Sequence, residues 1–107
     1  MLKFSILSIP EGIPQINRKR MIVRNVVVKN ASGLDSRPAA AIVKRASQYQ
    51  SRFSIIRDGF RVNGKSIIGV MTLAAEPGLE LTLEFDGPDE EKAAGDIVGY
   101  FDRGFND

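Results

Sequence analysis

LELTLEFD, residues 79–86, alternates without a break, with Leu79, Leu81, Leu83 and Phe85 on one side and Glu80, Thr82, Glu84 and Asp86 on the other. A period of two with one apolar and one polar face is the pattern of a half-buried antiparallel strand. One side must meet a core and the other water, so the sheet that holds this strand is expected to be open on one face. Downstream, the Pro-Asp-Glu-Glu start of PDEEKAAGDIVGYFDRGF places Asp89, Glu90 and Glu91 in a first helical turn, where the helix dipole favours negative charge. Ala93, Ile97, Tyr100 or Phe101 and Gly104 then recur along one side. Gly95 and Gly99 weaken this helix intrinsically, so packing has to hold it.

Upstream, Asp58-Gly59 separates SRFSIIR from FRVNG, a strong two-residue hairpin signal because both positions tolerate positive φ. Strands are predicted at 52–57 and 60–64. Ser66 opens KSIIGVMTLAA, a short helix whose apolar residues cover more than a single core-facing stripe, so part of that surface is expected to be exposed. MIVRNVVVKN, 21–30, is rich in β-branched residues and reads as a strand. After the turn NASGLDS, a helix of about three turns runs from Arg37, with Ala39, Ile42, Val43, Ala46 and Tyr49 at core spacing and Lys44, Arg45 and Gln48 opposite. The element order is β-α-β-β-α-β-α. Helices on one face of an antiparallel sheet, an α+β two-layer sandwich, is the economical arrangement.

A chain of 107 residues fits one domain. Residues 1–20 differ in texture: a short apolar stretch, then Pro10, Gly12 and Pro14, then Arg18-Lys19-Arg20. They are expected to form an N-terminal extension, either an added edge strand or a loose arm, ahead of a domain at 21–107. Cysteine, histidine and tryptophan are absent, which removes disulfides, zinc-finger spacings, thiol nucleophiles and imidazole acid–base chemistry. The net charge of +2 is not organised into a long basic run, which disfavours nucleic acid as a partner. No apolar run is long enough to span a bilayer, and LKFSILSIP makes a poor secretory signal because serines interrupt it. A soluble cytoplasmic protein, without membrane partner, metal or cofactor, is the expectation.

Three segments together resemble HPr, the small phosphocarrier of the bacterial phosphoenolpyruvate:sugar phosphotransferase system: NASGLDSRPAA at 30–40, DGFRVNGKSIIGVMTL at 58–73, and the alternating strand with its acidic-start helix. The resemblance covers residues 21–105. It implies an open-faced sandwich of a four-stranded antiparallel sheet with three helices on one face. In HPr the residue after Gly-Leu is a histidine that accepts phosphate from enzyme I, and here that position is Asp35. None of the 107 residues is histidine, so none can carry phosphohistidine.

Free N–H groups in the first helical turn, the positive dipole end and the planar fork of Arg37 still make an anion-facing site around Asp35, Ser36 and Arg37. Pro38 fits this turn because its missing N–H had no intrahelical acceptor to meet. Asp35 and Ser36 have three readings. They cap the helix; Asp35 stands in for a phosphorylated histidine with a single permanent charge; or Asp35 accepts a phosphoryl group as a carboxylate nucleophile. Such acyl-phosphate sites usually gather further carboxylates around magnesium, and none is adjacent in sequence.

Ser66 is read as an N-cap, and KSIIGVM also resembles the regulatory serine segment of HPr proteins that an HPr kinase/phosphorylase modifies. The resemblance implies phosphorylation at Ser66, with Ile67, Ile68 and Met71 as a docking patch for a transcriptional regulator or for phosphotransferase-system proteins. Core packing accounts for Val70 and Leu73 better than for Ile68 and Met71. A histidine-less relative that keeps this serine resembles the Crh-type regulators, although those carry glutamine where Asp35 stands. The expected function is therefore regulatory and non-enzymatic, with an Asp35 phosphocarrier or a constitutive, unphosphorylated binding module as alternatives.

Overall fold

The computed structural model describes residues 21–106, and the expected extension over residues 1–20 lies outside the described residues. Seven elements follow in order: β1 (Ile22–Val27), α1 (Ser36–Ala46), β2 (Arg52–Arg57), β3 (Phe60–Asn63), α2 (Ile67–Thr72), β4 (Glu80–Asp86) and α3 (Glu90–Asp102). Asp58 and Gly59 take φ of 50° and 82°, the left-handed pair that lets β2 turn tightly into β3. The hairpin pairs Ser54 with Asn63 and Arg57 with Phe60. All pairings are antiparallel, and the strands lie in the order β1-β4-β2-β3.

The strict alternation of 79–86 resolves as expected on its apolar side. Leu81, Leu83 and Phe85 are buried, while Leu79, just before the strand, is half-buried against the core. Phe53 faces Phe85 across β2 and β4, and the rings stack with centroids 4.9 Å apart. The polar side is drier than alternation alone suggests, since only Glu80 of its four residues is exposed. β4 lies centrally, between β1 and β2: the Thr82 hydroxyl donates to Asn25 Oδ1 on β1 at 3.0 Å, and Arg61 reaches Glu84 from β3, one strand beyond β2.

Three helices bring Ala39, Ile42 and Ala46 from α1, Val70 from α2, and Ala93, Ala94, Ile97, Tyr100 and Phe101 from α3 onto the apolar face. This burial holds α3 through thirteen residues despite Gly95 and Gly99. The architecture is an open-faced two-layer α+β sandwich. No helix among the described residues is long and apolar enough to cross a membrane.

Several local expectations shift. β1 ends at Val27 rather than reaching residue 30, and the Val28 N–H and carbonyl instead bond Leu79 O at 2.9 Å and Gly78 N at 2.7 Å. The strand predicted at 60–64 ends at Asn63, although Gly64 N–H still reaches Phe53 O at 2.7 Å. Val43 and Tyr49 are half-buried rather than core, and Arg45, assigned to the polar side, leans onto α3. Asp89 makes no capping bond with its side chain. It accepts instead from Gln50 N, Ser51 N and Ser51 Oγ at 2.9, 3.0 and 2.5 Å, fastening the start of α3 to the entry of β2. Glu90 is buried and accepts from Gly87 N at 3.0 Å.

Candidate functional site

Gly33 sets up the start of α1. Its φ is +71°, and a Cβ there would stand 2.5 Å from Ala75 O, so glycine is required on both counts. Leu34 follows, buried, and donates its N–H to Ala75 O at 2.9 Å. With the backbone anchored on its inner side, Asp35, Ser36 and Arg37 are left exposed at the helix end. Asp35 occupies the N-cap position in extended conformation, and its carbonyl accepts from Ala39 N–H at 3.0 Å. Its carboxylate makes no capping bond. The side-chain capping bond expected of Asp35 is therefore absent: the backbone has the N-cap conformation, and the carboxylate stays in solvent.

Asp35 and Arg37 line a shallow depression of about 510 Å³ with Asn30, Ser32, Tyr100 and Phe105. Tyr100 and Phe105 meet edge to face at 5.3 Å on its α3 side. Asn30 Nδ2 donates to Gly33 O at 2.8 Å and Ser32 Oγ at 3.1 Å, bracing the turn. Arg37 has no ion-pair or hydrogen-bond partner among the described residues. None of Asn30, Ser32, Tyr100 and Phe105 was singled out as a site residue. Asn30 and Ser32 belong to the turn just ahead of Asp35, whereas Tyr100 and Phe105 reach the depression from the far end of the chain through tertiary packing.

At the start of α2, Ser66 caps as expected: its Oγ accepts from Gly69 N–H at 3.1 Å and its carbonyl from Val70 N–H at 2.9 Å. Beside it stand three exposed apolar side chains, Ile67, Ile68 and Met71, with Ile68 76 % exposed, while Val70 and Leu73 are buried. Core packing thus accounts for Val70 and Leu73 and leaves the other three uncovered.

The site residues form two groups rather than one. Leu34 ties the start of α1 to Ala75, beyond the end of α2, while Lys65 Nζ donates to Tyr49 O at 2.6 Å and ties the start of α2 to the segment after α1. The two helices therefore run in opposite senses, and Asp35 and Ser66 sit toward opposite ends of α1, a helix roughly 16 Å long by its rise. Among the described residues no three His, Cys, Asp or Glu side chains gather where a metal ion could be held.

An open-faced sandwich of this strand order, presenting an arginine-flanked helix start from a left-handed glycine, defines a phosphocarrier-type fold. Residues 22–103 match the family described as "PTS HPr component phosphorylation site". The chain belongs to the HPr family of the phosphotransferase system. It is 46 % identical over 87 residues to the phosphocarrier protein HPr of Treponema pallidum, covering 81 % of this chain and 99 % of that one. It is 40 % identical over 80 residues to the HPr-like protein Crh of Bacillus subtilis, covering 75 % and 94 %. The crystal structure of HPr-C-His from Thermoanaerobacter tengcongensis superposes with a TM-score of 0.77 at 35 % identity, over 80 % of this chain and 97 % of that one.

Proposed function

We propose that this chain is a regulatory, non-enzymatic HPr-family protein, with residues 21–107 as the HPr-like domain and 1–20 as an extension, acting in the cytoplasm through protein partners. It carries no phosphohistidine, and it is switched by phosphorylation of Ser66. The observation that carries this reading is the placement of the Ser66 hydroxyl at the α2 start beside the exposed Ile67, Ile68 and Met71. A phosphoryl group there meets the N–H it would otherwise cap and adds nearly two negative charges at the edge of an apolar patch. A partner that reads both charge and patch, such as a transcriptional regulator or a phosphotransferase-system protein, then distinguishes the two states. Asp35, Ser36 and Arg37 supply a second, fixed contact at the start of α1.

Incubation with ATP and an HPr kinase/phosphorylase should place one phosphoserine on the chain and none on Ser66→Ala. An unmodified Ser66, or equal labelling of the Ser66→Ala variant, rejects the reading. A second reading makes Asp35 a phosphoryl acceptor, favoured by the exposed carboxylate that makes no capping bond beside Arg37. Phosphoenolpyruvate, enzyme I and magnesium should then yield a hydroxylamine-labile phosphate that Asp35→Asn abolishes. A constitutive binding module would engage its partner equally with and without modification at Ser66.

A further inference from the structure

The side of the sheet away from the helices carries a group of cations that neither the start of α1 nor the apolar patch on α2 uses. Along β2 and β3 the side chains alternate. Phe53, Ile55 and Val62 enter the core, which turns Arg52, Ser54, Arg61 and Asn63 to the open side. Ser54 pairs with Asn63 across the hairpin, so the two strands bring these side chains alongside one another. With Gln50 ahead of β2 and Lys65 after β3, they line a depression of about 410 Å³ whose remaining walls are Phe53 and Val62. No carboxylate lines it.

The polar groups around this depression are donors that are not used up. Arg52 has no ion-pair or hydrogen-bond partner among the described residues. Arg61 meets Glu84 through Nη1, which leaves the rest of its fork. Lys65 Nζ gives one bond to Tyr49 O, and an ammonium has three to give. Asn63 Oδ1 accepts from Lys65 N–H at 2.9 Å, so the oxygen is occupied and Nδ2 is the end left for a ligand. Three carboxylates stand nearby. Glu84 is paired with Arg61, and Asp89 is taken up by Gln50 N, Ser51 N and Ser51 Oγ. Asp86 lies opposite Arg52 in the register of β2 and β4 and makes no ion pair with it.

We propose that this depression binds a phosphate group, free or as the monoester of a small metabolite, held between the Arg52 fork and the Lys65 ammonium, with Arg61, Asn63 and Ser54 as further donors. Guanidinium forks and lysine ammonium groups are the side chains that pair with phosphate oxygens. A phosphate dianion suits two cations that no ion pair neutralises. The site stands apart from the start of α1 and does not depend on modification of Ser66.

Titration of the isotope-labelled full chain with sodium phosphate and with glycerol phosphate, at fixed pH and ionic strength, tests this by amide chemical shifts. Shifts at Arg52, Ser54, Asn63 and Lys65 should saturate with either anion. Arg52→Gln, which breaks no existing bond, should weaken binding about tenfold, and adding Lys65→Gln should abolish it. Lys92→Gln removes an exposed charge outside the depression and should leave binding unchanged. Binding of the free anion as tight as that of the ester makes phosphate the ligand, and tighter binding of the ester makes it a monoester. Shifts that do not saturate overturn the proposal, as do shifts confined to Ser36 and Arg37, or an Arg52→Gln variant that binds undiminished.

Discussion

The carboxylate of Asp96 on α3 receives the hydroxyl of Tyr49 at 2.5 Å, across 47 positions of sequence. Arg45 Nε reaches the same carboxylate at 2.6 Å, and its guanidinium lies 4.3 Å from the centre of the Tyr100 ring. One half-buried acid thus fastens the end of α1 and the turn after it to the middle of α3. Tyr100, under Arg45, is also a wall of the Asp35 depression, so this fastening supports the site.

Burial works against the Asp96 charge, but the hydrogen bonds from Tyr49 and Arg45 and the nearby Arg45 and Arg103 cations outweigh it and hold its carboxyl below the usual 3.8. A carboxyl depressed in the folded state contributes stability that is fully present above its unfolded pKa and lost as pH falls through the folded one. Asp96→Asn should cost about 1–2 kcal/mol at pH 7, the range for hydrogen bonds to a charged group that is partly exposed. The gap from the unaltered chain should narrow below pH 3.8. Urea midpoints at pH 7 and pH 3 check both statements. In the other direction, the hydrogen bond to Asp96, and then burial, raise the Tyr49 hydroxyl above its ordinary 10.0, so an alkaline absorbance titration should find one late tyrosine that Asp96→Asn brings down.

Ser66→Ala removes the bond to Gly69 N–H and should lower stability by about 1 kcal/mol. Ser66→Asp supplies another good capping oxygen and should recover most of that loss. Thermal denaturation of the two variants separates the structural duty of this hydroxyl from its capacity to be phosphorylated, since neither can be modified there.

Ile68 and Val70 are two positions apart on one short helix and should answer differently to change. Ile68→Asp sits on solvent-facing surface and should move stability by no more than about 0.5 kcal/mol while weakening partner capture. Val70→Ala removes two buried methyl groups and should cost about 2 kcal/mol. Calorimetric melting beside a pull-down with the Ser66-phosphorylated protein distinguishes the docking surface from the core.

Gly33→Ala forces a side chain into left-handed backbone and against Ala75 O, and should destabilise by more than about 1 kcal/mol. Because the Leu34–Ala75 bond is made next door, amide chemical shifts at Asp35 and Arg37 should move with it. Gly59→Ala, where nothing stands within 4 Å of the new Cβ, should pay only for backbone conformation.

What was readable in the sequence, and what was not, divides by range. Alternation placed β4, Asp58-Gly59 placed the β2–β3 turn, and helical spacing placed α1, because each is a local pattern of one element against one core. The Ser66 cap was readable for the same reason, since its acceptor and donor are three residues apart. The wet face of β4 was overstated because its cover comes from Asn25 and Arg61 on other strands. Asp89 looked like a helix-start residue and is one, yet its side chain serves Gln50 and Ser51 nearly forty positions away. Arg45 looked solvent-facing because no pattern within α1 announces Asp96. The depression at Asp35 had two of its walls readable, Asp35 and Arg37, while Tyr100 and Phe105 arrived from the far end of the chain.

The Asp35 carboxylate makes no hydrogen bond that starts α1, since Gly33, Leu34 and the Asp35 carbonyl do that work through the backbone. The identity of residue 35 is therefore tied to folding only through the charge and backbone preference of an exposed N-cap position. A lineage can exchange that side chain, and the chemistry it carries, in a single substitution that the rest of the sequence has no need to accommodate.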